Sequence, residues 1–208
     1  MQNTIDTAMK MYGRLDIPLA HAGVSDMPFV ADEAGDTGDA IRNGTIDTNL
    51  TAPTRAIHKT IPVFEKQKGG VTVNMAFISG YTGAHEGGAA CVASVHSLTG
   101  PTKNAAYTCV SKNIRCSAVA PGKTATKLRA SREKPIVTKT VHNRATGCRK
   151  TSEDAVTAGY VVSTRAGHPD EIAKAALLPA SVNALASGVP CRCRQSMAAG
   201  WLAECRLA

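Results

Sequence analysis

The chain has 208 residues, 43% of them hydrophobic and 19% charged, with 24 basic and 16 acidic side chains giving a net charge of +8. That balance excludes a disordered chain, and no apolar run approaches the roughly 18 residues of a membrane span. Aromatic residues are only 4%, too few for the stacking surfaces that hold single-stranded nucleic acid.

Ile5, Ala8, Met9 and Tyr12 recur at helical spacing and predict an amphipathic helix over 4–13. Leu15 to Ala20 is a short apolar run closed by His21-Ala22-Gly23, which predicts a buried strand and a glycine turn. Residues 25–44 are polar and rich in Asp and Gly, and read as loop. Ile46, Leu50, Ile57, Ile61 and Phe64 predict a second helix, whose first part Pro53 breaks or shifts. Gly69-Gly70 ends it, and Val71 to Ile78 is the clearest strand. Gly80 to Gly88 reads as a glycine-bearing loop, and Ala89 to Val110 as one long helix blemished by Pro101. Ile114 to Ala120 is a further strand, closed by Pro121-Gly122. Residues 123–168 are basic and irregular. Pro169-Asp170-Glu171 opens a helix through Leu178, with proline in the first turn and acids at the positive end of the dipole. Strands alternating with helices predict an α/β domain spanning 1–208, a parallel sheet with helices on both faces.

Between Lys103 and Lys150 there are twelve Lys or Arg and one acid, Glu133. Without a recognition motif this reads as a solvated basic surface, and nucleic acid is not an expected partner. The seven cysteines show no zinc or thioredoxin spacing, so no metal site is predicted. The start, Met-Gln-Asn-Thr-Ile-Asp, lacks a secretory signal. Reduced thiols in a cytoplasmic chain, with no membrane association, are the expectation.

Several motifs together resemble the short-chain dehydrogenases/reductases. They are Gly13-Arg14-Leu15-Asp16-Ile17 leading to Ala20-His21-Ala22-Gly23, then Asp47-Thr48-Asn49-Leu50, then Val73-Asn74-Met75-Ala76. Ile114 to Gly122 with Thr126 is the most specific match, and Gly167-His168-Pro169-Asp170-Glu171 is the last. The resemblance implies a Rossmann-like doubly wound sheet and NAD(P)-dependent chemistry on an alcohol or carbonyl. It implies that Asn49 is catalytic, and that Ala22, Gly23, Pro121, Gly122 and Thr126 lie against the cofactor. It also implies a substrate loop at 123–168 and association of two copies through the helix over 89–110.

The departures are as specific. The match begins at the family's fourth strand, so the expectation is a partial sheet lacking the first three, with no Gly-x-x-x-Gly-x-Gly turn for the pyrophosphate. The family's Ser, Tyr and Lys positions fall on Phe77, Cys91 and Val95. A valine cannot place a cation beside a phenol, and a thiol is a poor substitute for a proton-donating hydroxyl. Only Asn49 is retained, so impaired catalysis and weak or absent NAD or NADP binding are expected. Tyr81 reads as a loop aromatic and His96 as a helix-surface residue. Read one base earlier, permitted codons for Ser196 to Ala203 encode Val-Asp-Gly-Gly-Trp-Leu-Ala, near the family's usual ending. A shifted frame upstream of Gln195, or a decayed gene, is therefore an alternative to a non-catalytic dimerising relative.

Overall fold

A computed structural model of the chain describes residues 1–26, 38–82, 88–122, 124–126, 167–181, 184, 187–188 and 190–192. The expectations for 127–166 and for Gln195 to Ala203 lie outside the described residues.

Helix α1 (Gln2–Tyr12) ends on Gly13, whose left-handed φ of 72° closes the last turn. Strand β1 is only Leu19–Ala20, shorter than the apolar run that precedes the turn. The backbone of 15–20 still follows its neighbour, since Asp16 O and Pro18 O accept from Val71 N and Val73 N. Pro18 has no N–H to return, so the ladder is incomplete there.

Helix α2 (Asp39–Ile46) forms within the stretch whose polarity suggests loop. A π-helical turn (Asp47–Thr51) follows and runs directly into α3 (Ala52–Gln67). Pro53, the second residue of α3, has no N–H to continue the ladder, and the change of winding falls directly ahead of it, the shift its position predicts. Lys68 then turns left-handed at φ 63°.

Strand β2 (Gly70–Met75) is two to three residues shorter than the apolar run. Ser79–Thr82 is a helical turn, α4, rather than loop. The helix expected over 89–110 is two helices, α5 (Ala89–Ser97) and α6 (Thr99–Cys109), followed by a 3-10 turn over Val110–Lys112. Leu98 between them keeps α-type angles, φ −61° and ψ −24°. Its N–H bonds to Ser94 O and its carbonyl accepts from Thr102 N. Pro101, the third residue of α6, has no N–H for the carbonyl one turn back, and the division between the two helices falls just ahead of it. Strand β3 (Ile114–Ala120), helix α7 (Pro169–Ala180) and strand β4 (Pro190–Arg192) complete the described elements.

The sheet order is β1-β2-β3-β4, all parallel. Alternate side chains point to opposite faces. On one face Cys116 packs with Ile57 of α3 and with Ala105 and Ala106 of α6. On the other, Val71, Val73 and Val119 pack with Ile172 of α7. Phe64 is wholly buried against Cys109 and Ile114. This is the doubly wound arrangement the motif order implies. Arg115 joins α7 to the sheet, its guanidinium donating to Pro179 O and Ser181 O at 2.7 Å each. Among the described residues no helix is long and apolar enough to cross a membrane.

Candidate active-site edge

In an open parallel sheet, ligands bind outside the carboxyl ends of the strands. The parallel register puts the ends of β1, β2 and β3 on one edge: Ala20 lies opposite Asn74, and Met75 opposite Val119. Ala22 and Gly23 therefore follow β1 at the same edge where Phe77 follows β2 and Pro121-Gly122 follows β3. Ala22 and Gly23 are exposed, Phe77 and Pro121 half-buried, and Gly122 buried. Ile78 N donates to Pro121 O at 2.9 Å, tying two of these ends together. Thr126 is exposed, further along the chain from Pro121-Gly122.

Asn49 lies in the π-helical turn and is 6% exposed. Its Oδ1 accepts from Val24 N at 2.9 Å, and its Nδ2 donates to Val24 O at 2.9 Å and to Ser94 Oγ at 3.1 Å. The same Nδ2 is 4.0 Å from Cys91 Sγ. Asn49 is thus brought together with the turn after β1 and with Cys91, and a side chain at Gly23 would come within 3.6 Å of Asn49 Oδ1. Cys91 and Val95, one turn apart on α5, are each 6% exposed.

Tyr81 is not a loop aromatic: it lies on α4 and packs against the cluster of Ala76, Leu98, Ala118 and Ala120. Gly80 lets α4 approach α5 closely, since a Cβ there would stand 3.0 Å from Val95 O. His96 is exposed, with Nδ1 2.9 Å from Val92 O of its own helix.

One participant is not visible in local sequence pattern. Asp26 is 1% exposed, and its carboxylate accepts from Ala90 N at 3.0 Å and Cys91 N at 3.3 Å. It caps a helix 64 residues away. The available signal is negative: α5 starts at Gly88-Ala89-Ala90 with no capping side chain of its own, so its amides need an acceptor from elsewhere. Among the described residues no three His, Cys, Asp or Glu side chains gather as a metal site.

A parallel sheet covered by helices on both faces defines a Rossmann-like α/β fold. Comparison with known proteins makes this specific. The family model described as Enoyl-(Acyl carrier protein) reductase matches residues 1–186. The chain belongs to the short-chain dehydrogenase/reductase family. It is 32% identical over 187 residues to 3beta-hydroxysteroid dehydrogenase 2 of Eggerthella lenta, covering 87% of this chain and 64% of that protein. It is 38% identical over 122 residues to asnovolin H dehydrogenase of Aspergillus novofumigatus, covering 58% of this chain and 46% of that one. The chain thus spans less than two thirds of the length of these relatives. In fold it is similar to a Burkholderia xenovorans protein described as a short-chain dehydrogenase/reductase, at TM-score 0.68 and 24% identity, covering 93% of this chain and 67% of that one. A tyrosine-to-phenylalanine variant of ElxO with NADPH bound gives TM-score 0.69 at 24% identity, covering 91% and 70%.

Proposed function

We propose that this chain is a framework for NAD(P)-dependent hydride transfer at an alcohol or carbonyl carbon in which proton delivery is lost. The carrying observation is the pair on α5. The resemblance sets Cys91 at the family's tyrosine position, Val95 at its lysine position and Phe77 at its serine position, and the two α5 side chains are buried. Proton transfer to a substrate oxygen needs a group of matched acidity within hydrogen-bond reach. An isopropyl group supplies no cation to lower a neighbour's pKa or to hold ribose hydroxyls, and a benzyl group donates no hydrogen bond. Asn49 is retained, but its amide is spent on the Val24 backbone and Ser94.

The cofactor residues fit a dinucleotide poorly. Ala22, Gly23, Pro121 and Gly122 offer only backbone and small or apolar side chains at the carboxyl edge of the sheet. The N-terminus of α5, whose amides would attract a phosphate, already holds the Asp26 carboxylate. Weak or absent binding of NAD or NADP follows. The test is the purified chain with NADH or NADPH and a panel of ketones and aldehydes, together with calorimetric titration of each nucleotide. The expected result is no consumption and no saturable binding; micromolar affinity or turnover overturns the reading.

Retained self-association is the second reading. It is favoured by large apolar side chains left exposed within 89–110, Tyr107 at 84% and Val110 at 67%. Sedimentation giving only monomer would remove it.

A further inference from the structure

We propose that Asp26 is a positioning residue for Cys91, acting through the first turn of α5, and that Gly88 is the gap that admits it. The proposal rests on the reading of Cys91 at the family's tyrosine position, and its test requires no activity.

Three observations converge. The Asp26 carboxylate takes both Ala90 N and Cys91 N, so each oxygen holds one amide of the same turn. Anionic acceptors at a helix N-terminus are favoured both by hydrogen bonding and by the dipole. A Cβ at Gly88 would stand 2.5 Å from Asp26 Cγ and Oδ2, so no other residue fits there while the carboxylate is in place. The chain two residues before Asp26 is gripped separately, since Asn49 pairs with both backbone atoms of Val24 and faces the Cys91 thiol at 4.0 Å. The turn after β1 is thereby fastened at Val24 and at Asp26 around one α5 position. Cys91 is held by its main chain through Asp26 and overlooked by Asn49 at its side chain. Movement of the 22–26 turn and exposure of Cys91 become one event.

The test compares the full chain with Asp26→Ala, Asp26→Asn and Gly88→Ala. Amide exchange is read residue by residue, and thiol alkylation is read by peptide mass. Loss of the cap is expected to speed exchange at Ala90 and Cys91 by about tenfold. Cys91 alkylation should rise by a similar factor, while Cys109 and Cys116, buried elsewhere, keep their rates. Asp26→Asn retains one acceptor and should recover part of the protection. Gly88→Ala, which keeps the carboxylate but displaces it, should match Asp26→Ala. Unchanged Cys91 alkylation in Asp26→Ala would overturn the proposal. So would equal acceleration at all three cysteines, because that marks general unfolding rather than control of one turn.

Discussion

Replacing Asn49 by alanine removes three hydrogen bonds that no neighbouring side chain can remake: Val24 N–H to Oδ1, and Nδ2 to Val24 O and to Ser94 Oγ, at 2.9, 2.9 and 3.1 Å. Each such bond contributes roughly 0.5–1.5 kcal/mol net, and a buried partner left unmet costs more. Val24 is itself 41% exposed, so water reaches its backbone in the variant and offsets part of the loss. The expected destabilisation is about 2–3 kcal/mol. Asn49→Asp separates geometry from charge. It keeps an acceptor for Val24 N–H but turns the donating end toward the Val24 carbonyl as a second acceptor, in a buried place. It should lose at least as much at neutral pH. Urea unfolding followed by far-ultraviolet circular dichroism measures both. An Asn49→Ala midpoint corresponding to less than about 0.5 kcal/mol, at unchanged slope, would refute the bracing role.

Phe64 is fully buried on Cys109 and Ile114, so Phe64→Ala should cost about 3–5 kcal/mol in the same assay. Gly70→Ala should also destabilise, by about 1–3 kcal/mol, because the added Cβ would lie 2.2 Å from the Phe64 ring. Arg115→Ala should loosen α7 locally, by about 1–2 kcal/mol, through loss of both carbonyl contacts; amide exchange over 169–180 reads it. Burial pushes the Cys116 thiol up to about 12 from an ordinary 9.0. Above pH 9 the unfolded chain gives up a proton that the native state keeps, so stability should fall as pH rises from about 9 to 12 and be unaffected below. Cys116→Ala should reduce that slope in urea titrations at alkaline pH; an unaltered slope would reassign it.

Elements whose residues face a core on both sides were legible as sequence. Val71–Met75 and Ile114–Ala120 are short runs of mostly apolar residues between turn signals, with Thr72, Asn74 and Ser117 the buried polar exceptions, and helices cover both faces of the sheet. The helix from Pro169 carries its own start signals, realised as a capping box between His168 and Glu171. Helix α2 was not legible: Asp39-Ala-Ile-Arg-Asn-Gly-Thr-Ile has weak propensity and buries only Thr45, so no apolar stripe marks it, and it forms as a direct extension of the helical turn that follows. The cap on α5 was hidden because Asp26 and its amides are 64 and 65 positions apart. The grouping of Asn49 with Cys91 was legible only through resemblance, since no local pattern links residues 42 apart.

The π-helical turn at Asp47–Thr51 has a consequence for length variation in this segment. The buried side chains Thr45, Asn49, Pro53, Ala56, Thr60 and Phe64 cover nineteen positions in five revolutions, where an ideal α-helix uses about eighteen. The wide turn absorbs the surplus residue. Excising one of its residues other than Asn49 would restore ideal winding and leave Phe64 facing inward as before, whereas excising one from the regular part of α3 would rotate everything downstream by about 100°. A single-codon deletion should therefore be milder within the wide turn than a few residues beyond it.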